Sequence, residues 1–114
     1  MKVSSYKQVP AEDVAENGAA GTKIRWLITG KDGAPNFAMR LFEMAPGGYS
    51  PLHAHPWEHE VFVLRGKGRV VRKGSDVKIG PGDFVFIAAD EKHQFRNVGK
   101  SMLSFICLIP IQKG

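Results

Sequence analysis

Three histidines crowd into seven positions of this chain, His53, His55 and His59, and a fourth, His93, stands apart. Neutral imidazole is the commonest protein ligand for divalent transition metals. In extended backbone, residues i and i+2 point to the same side, so His53 and His55 present two rings side by side. His59 shares their odd parity, and Pro56 between them can bend the chain so that a third ring wraps around an ion. His93 must arrive from another strand. A lone histidine is ordinarily a surface or core residue. Four gathered into two glycine-framed segments, 47–66 and 82–97, read instead as a metal site made where the segments meet.

The elements that must position them are strands. Turn signals recur roughly every eight to twelve residues, and no stretch sustains a helical period, the pattern of a sandwich or barrel. Val3 to Val9 reads as a short strand, Pro10-Ala-Glu-Asp13 as a helix start or turn, and Asn17 to Gly21 as a break. Lys23 to Thr29 alternates as a strand and ends in the turn cluster Gly30 to Pro35. Phe37 to Met44 is β-prone and is closed by Pro46-Gly47-Gly48. Glu60 to Arg65 and Gly68 to Arg72 form an expected hairpin through Gly66-Lys67. Val77 to Ile79 lies between turns, and Gly82-Asp83 opens the expected hairpin that carries His93. Phe84 to Ala88 is apolar on both faces, as a buried strand would be. His93 to Asn97 and Met102 to Ile109 complete the series, which Pro110 ends.

Composition narrows the class. With 114 residues, 43% hydrophobic and 24% charged, the chain suits one globular domain rather than a disordered segment. The single cysteine, Cys107, excludes an internal disulfide. With no apolar signal segment behind Met1-Lys2, a cytoplasmic location is expected. Phe105 to Ile109, the longest apolar run, is far too short to cross a bilayer. The net charge of +5 raises the question of nucleic acid. Arg65, Lys67 and Arg69 share a parity, however, and read as a solvated strand face. There is no helical reading head and no aromatic-basic interleaving, so neither nucleic acid nor membrane is an expected partner.

The two glycine-framed segments carry a resemblance to the cupin superfamily. Its first motif runs Gly, five residues, His-x-His, three or four residues, Glu, six residues, Gly; here the chain reads Gly47, five residues, His53-Ala54-His55, three residues, His59, six residues, Gly66. His59 occupies the slot usually held by glutamate. The second motif runs Gly, five residues, Pro, four residues, His, three residues, Asn; here Gly82, Ala88, His93 and Asn97 stand at that spacing, with Ala88 in the proline slot. The string from His53 to Leu64 is similar to a subgroup of bacterial and archaeal cupins with an all-histidine site. The resemblance implies an all-β antiparallel double-stranded β-helix, a jelly-roll barrel, formed by residues 1–114 as one domain. It also implies a homodimer. Residues 1–29 are rich in strand-like segments beyond what one small barrel needs, and are expected to contribute to the partner's barrel.

Four imidazoles leave the ligand set uncharged. Manganese or iron is the favoured ion, and nickel, copper and zinc also suit such donors. In octahedral coordination two positions stay open, enough for a bidentate substrate or for a substrate oxygen beside dioxygen. The expected function is therefore a metal-dependent oxygenase of the dioxygenase type acting on a small organic molecule. A metal-dependent isomerase, cyclase or lyase is the alternative, and a non-catalytic ligand-binding or structural cupin is the third reading. Catalytic side chains beyond the ligands are not assigned. Glu58 and Glu60 flank His59 with opposite parity and should face solvent. Parity suggests pocket walls: Phe95 shares a face with His93, and Phe105, Cys107 and Ile109 form one face of the last strand. Cys107 reads first as a small buried core residue. Trp57 either shields the site or packs outward. Arg40, the cation of an apolar strand, either orients an anionic substrate or snorkels to the surface.

Overall fold

The computed structural model describes residues 1–112, which form nine strands. They are β1 (Glu12–Asp13), β2 (Ala20–Ile28), β3 (Phe37–Tyr49), β4 (His59–Arg65), β5 (Gly68–Arg72), β6 (Ser75–Ile79), β7 (Phe84–Ile87), β8 (His93–Asn97) and β9 (Leu103–Pro110). The strands run in the order β6-β5-β8-β3-β9-β4-β7, with β2 added to β3 and β1 to β2, and each recorded ladder is antiparallel. This is the all-β jelly-roll barrel that the sequence implies. No helix among the described residues is long and apolar enough to cross a membrane.

Alternation along the strands builds the interior. In β4, His59, Val61 and Val63 are buried while Glu60, Phe62 and Leu64 face out. In β8, His93, Phe95 and Asn97 are buried, and in β9 Leu103, Phe105, Cys107 and Ile109. Met44, Val70, Ile79 and Ile87 close the core around them.

β3 belongs to both halves of the barrel. Its first part pairs with β2 and β9, and its last residue, Tyr49, pairs with Arg96 of β8. The expected stop at Pro46-Gly47-Gly48 is instead a corner inside the strand. Gly47 takes φ +80°, and the ladder to β2 slips between Ala20 and Thr22 to absorb the extra residues. The Thr22 hydroxyl donates to the Ala20 carbonyl at 2.9 Å and bridges the slip to the Tyr49 carbonyl at 3.2 Å. Asn97 holds the same corner from β8, its amide donating to the Met44 carbonyl at 2.8 Å and to the Ser101 carbonyl at 2.9 Å.

Four further expectations are corrected. Gly66-Lys67 is not a hairpin: β4 pairs with β7 and β9, whereas β5 pairs with β6 and β8, so this connection carries the chain from one half of the barrel to the other. The hairpin is β5–β6, turning at Lys73-Gly74 with Gly74 at φ +83°. The segment that carries His93 is not a hairpin either. β7 pairs with β4, while β8 pairs with β5 and β3, because the chain changes halves again between them. Third, β7 is an edge strand; Phe84 is 81% and Phe86 59% exposed, and only Ile87 is buried. Fourth, Val3 to Val9 forms no strand. Tyr6–Gln8 is a single 3-10 turn capped by Ser5, and Arg25 holds it against β2 by donating to the Tyr6 and Val9 carbonyls at 3.3 and 2.7 Å. β2 completes the sheet beside β3.

Candidate metal centre

The histidine segment leaves β3 at Ser50 and is stitched to β8 through backbone. Ser50 N–H donates to the Phe95 carbonyl at 2.9 Å. His53 and His93 exchange both backbone bonds, at 3.1 and 3.0 Å, as an isolated bridge. Asp90 N–H donates to the His55 carbonyl at 2.6 Å. His53 and His55 thus converge from a tied loop, not from a strand, while His59 and His93 begin β4 and β8.

One donor nitrogen each from His53, His55 and His93 fits within a mutual 4.8 Å, close enough to hold one ion. His59 stands just outside that set, its ring centre 4.9 Å from His93 and 5.4 Å from His55. By ring centre His59 is nearer His93 than His53 or His55 is, at 5.3 and 6.4 Å, so the four predicted ligands are neighbours and only the donor atoms single out three.

Two rings are oriented by hydrogen bonds. His93 Nδ1 lies 2.9 Å from the Glu91 carbonyl, which can only accept, so Nδ1 carries the proton and Nε2 is left with its lone pair. His53 Nδ1 lies 3.2 Å from Glu16 Oε2, the carboxylate-imidazole pairing common behind metal ligands. His55 Nδ1 and His59 Nδ1 are buried with no partner. An unpaired buried nitrogen is costly, and a divalent ion among these rings fits a donor set that the protein leaves partly unengaged.

Burial also keeps the rings neutral. Desolvation, then the neighbouring His93 and Arg40, pushes His59 down from 6.5 to about 3. Desolvation lowers His55 and His93 as well, the former further depressed by His53. Unprotonated imidazole is the ligating form, so these three are ready to bind at neutral pH.

Sequence reasoning missed Glu16 and Glu91. Glu16 sits 37 residues before His53 in a turn-rich stretch, and no local spacing joins the two. Glu91 acts through its carbonyl, which any residue would supply. Its side chain does something more particular: it accepts from Ala88 N–H at 3.0 Å, satisfying a donor that proline in that slot would lack.

The histidines open onto a cavity of about 530 Å³. Arg40, Trp57, Phe95, Phe105, Cys107 and Ile109 all line it. Phe95 stacks on Phe105 at 4.7 Å and Phe105 on Phe42 at 5.2 Å, giving a flat apolar floor. Trp57 stacks on His55 at 4.6 Å. Residues 13–16 line the cavity as well. Glu58 and Glu60 are exposed, as expected.

Fold and site together define a small jelly-roll protein with a histidine cluster that could hold a metal ion, set in the wall of an apolar hollow. The chain belongs to the cupin family: the Cupin domain model, Cupin_2, matches residues 40–109. Among curated relatives, 1-methylthio-D-xylulose 5-phosphate methylsulfurylase of Rhodospirillum rubrum is 33% identical over 75 residues, 66% of this chain. The chain spans about half of that protein's length, 48%. An oxalate-binding protein of Thermotoga maritima is 32% identical over 113 residues, covering 96% of this chain and 93% of that one. Among solved structures, the polyketide cyclase RemF from Streptomyces resistomycificus superposes with a TM-score of 0.93 at 38% identity, over 98% of this chain and 80% of that one.

Proposed function

We propose that the chain is a metal-dependent enzyme whose ion activates a carbonyl oxygen of a small, planar, enolisable molecule, in chemistry of the cyclase or lyase kind. One observation carries this reading. The four buried side-chain polar atoms without a partner among the described residues are Arg40 Nε, His55 Nδ1, Trp57 Nε1 and His59 Nδ1, and all four belong to residues lining the same cavity. Native interiors leave few such groups, and their concentration in one hollow marks a place built for a polar occupant.

A divalent ion held by His53, His55 and His93, with His59 beside them, would supply Lewis acidity toward a substrate oxygen. The chain's own residues do the rest. Glu16 and the Glu91 carbonyl orient two rings, Phe95 and Phe105 offer a flat face to a conjugated substrate, and the apolar wall limits water. Likeness to a polyketide cyclase over nearly the whole chain supports carbonyl chemistry. The dioxygenase reading draws on the uncharged donor set and the apolar cavity, but none of the three relatives named above is called an oxygenase.

Hydrogen-deuterium exchange at the acidic carbon of aromatic 1,3-diketones, followed by NMR beside an oxygen electrode, separates these readings. The expected result is exchange that needs the ion, proceeds equally without air and consumes no oxygen. Oxygen uptake matching substrate loss would establish the oxygenase instead, and ligand binding without exchange would leave a binding protein.

We further propose that two copies pair through the outer face of β4 and β7. Phe62 lies opposite Phe84 and Glu60 opposite Phe86 on that edge, so the exposed rings form one strip. Sizing chromatography should return about twice 12.5 kDa, and Phe84→Glu should shift the peak to the monomer. A wild-type monomer would remove the idea. The single free thiol, Cys107, fits the reducing conditions of a cytoplasmic protein.

A further inference from the structure

The cavity has a second polar pole, opposite in kind to the histidines. Arg40 stands mid-strand in β3, level with Trp26 of β2 on one side and Cys107 of β9 on the other. Its guanidinium carbon lies 5.5 Å from the Trp26 ring centre and 5.0 Å from that of Phe42. One terminal N–H donates to Cys107 Sγ at 2.9 Å, while Nε is buried with no partner.

What Arg40 lacks is a counter-charge. Arg25, one strand over and on the outer face, is paired with Glu43 at 2.7 Å. Among the described residues Arg40 has no such carboxylate. The two carboxylates of the cavity wall are engaged elsewhere, Asp13 4.0 Å from Lys23 and Glu16 3.2 Å from His53. Cys107 does not neutralise it, because burial pushes the thiol up from 9.0 more strongly than Arg40 pulls it down. The guanidinium is thus half-desolvated, held between aromatic rings and uncompensated. That is the environment in which arginine captures a planar anion through paired N–H donors.

We infer that Arg40 is the anion anchor of the cavity, and that the ligand is a planar aromatic carboxylate whose acid group meets Arg40 while its ring lies on Phe42 and Phe105. The inference takes the cavity as the substrate pocket but does not depend on the ion. It assigns substrate class as well as orientation: a carboxylate held at Arg40 leaves the ligand's other oxygens to the histidine end.

Chelator-treated protein, with the ion removed, gives the test. 2-Naphthoate and its neutral analogue 2-acetonaphthone are titrated separately and followed by calorimetry and by quenching of Trp26 and Trp57, which both line the cavity. Wild type should bind the carboxylate at least about tenfold more tightly, the scale of a charge-assisted bidentate pair. Arg40→Met should bind the two alike, with the ketone's affinity kept, and Arg40→Lys should recover part of the preference. Absence of preference in wild type, which requires no variant to fold, overturns the inference, as does preference that survives in Arg40→Met. Preference that appears only after metal loading and persists in Arg40→Met assigns the carboxylate to the ion; Arg40 then fails while the metal reading stands. Preference in a protein that never takes up a divalent ion leaves Arg40 standing and removes the metal reading.

Discussion

A chain with alanine in place of His55 should no longer hold a divalent ion through dialysis. His55 belongs to the trio whose donor atoms fit within 4.8 Å, and its ring stacks on Trp57 at 4.6 Å, which fixes its orientation. Removing groups behind metal ligands costs about 10–100-fold in affinity, and Glu16→Gln should fall in that range by loosening His53. Loss of a ligand should exceed it. The same geometry ranks the four histidines: alanine at 53, 55 or 93 should be more damaging than alanine at 59, which stands outside the trio. Calorimetric titration of the metal-free variants with zinc or cobalt reads the order directly. Equal loss at all four would mean that His59 closes in as a full ligand once the ion arrives. Undiminished binding in His59→Ala would exclude it from the set.

Gly66→Ala should be among the most destructive single substitutions in the fold. Gly66 takes φ +86°, a conformation costing a residue with a side chain about 1–2 kcal/mol. Sterics are worse. A β-carbon would run into the Met102 carbonyl oxygen and sit 2.7 Å from the Leu103 α-carbon. Both are backbone, and Leu103 is fully buried, so neither can yield without moving β9. Overpacking of this kind adds about 1–3 kcal/mol, a large part of the roughly 5–15 kcal/mol that keeps a domain folded. Gly33→Ala is the matched control: φ is +90°, but nothing lies within 4 Å of the added carbon. Urea midpoints should fall steeply for the first and modestly for the second. Equal effects would show that backbone conformation, not the crossing of chains, is what demands glycine.

That glycine also shows where the sequence stops being readable. Gly66-Lys67-Gly68 between two β-prone runs has the local chemistry of a hairpin, and local chemistry is all that turn residues express. Its contacts with Met102 and Leu103, 36 and 37 positions later, turn it into a crossing, and nothing nearby records them. The corner at Gly47 was misread for the same reason. Phe84 and Phe86 misled differently, since an edge strand that is apolar on its outer face has the pattern of a buried one. The gathering of the histidines is easier to read, because four of them in two short segments are a pattern in composition as well as position. Parity along a strand is equally dependable: His93 with Phe95 in β8, and Phe105 with Cys107 and Ile109 in β9, share faces however the strands connect. Glu16 was out of reach, being joined to His53 only by the folding of the amino-terminal segment against the cavity.

The backbone stitching between the two histidine segments has a consequence for how the protein matures. Zinc fingers need their metal to fold, since their ligands are scattered until it binds. Here the His53–His93 bridge and the Asp90–His55 bond bring three of the histidines together through the main chain before any ion is needed. A polypeptide leaving the ribosome should therefore reach its final shape before it meets any ion. Chelation should strip the centre without unfolding the barrel, and reloading should be quick and reversible. Metallation is then a titration of a finished protein rather than a step in making one.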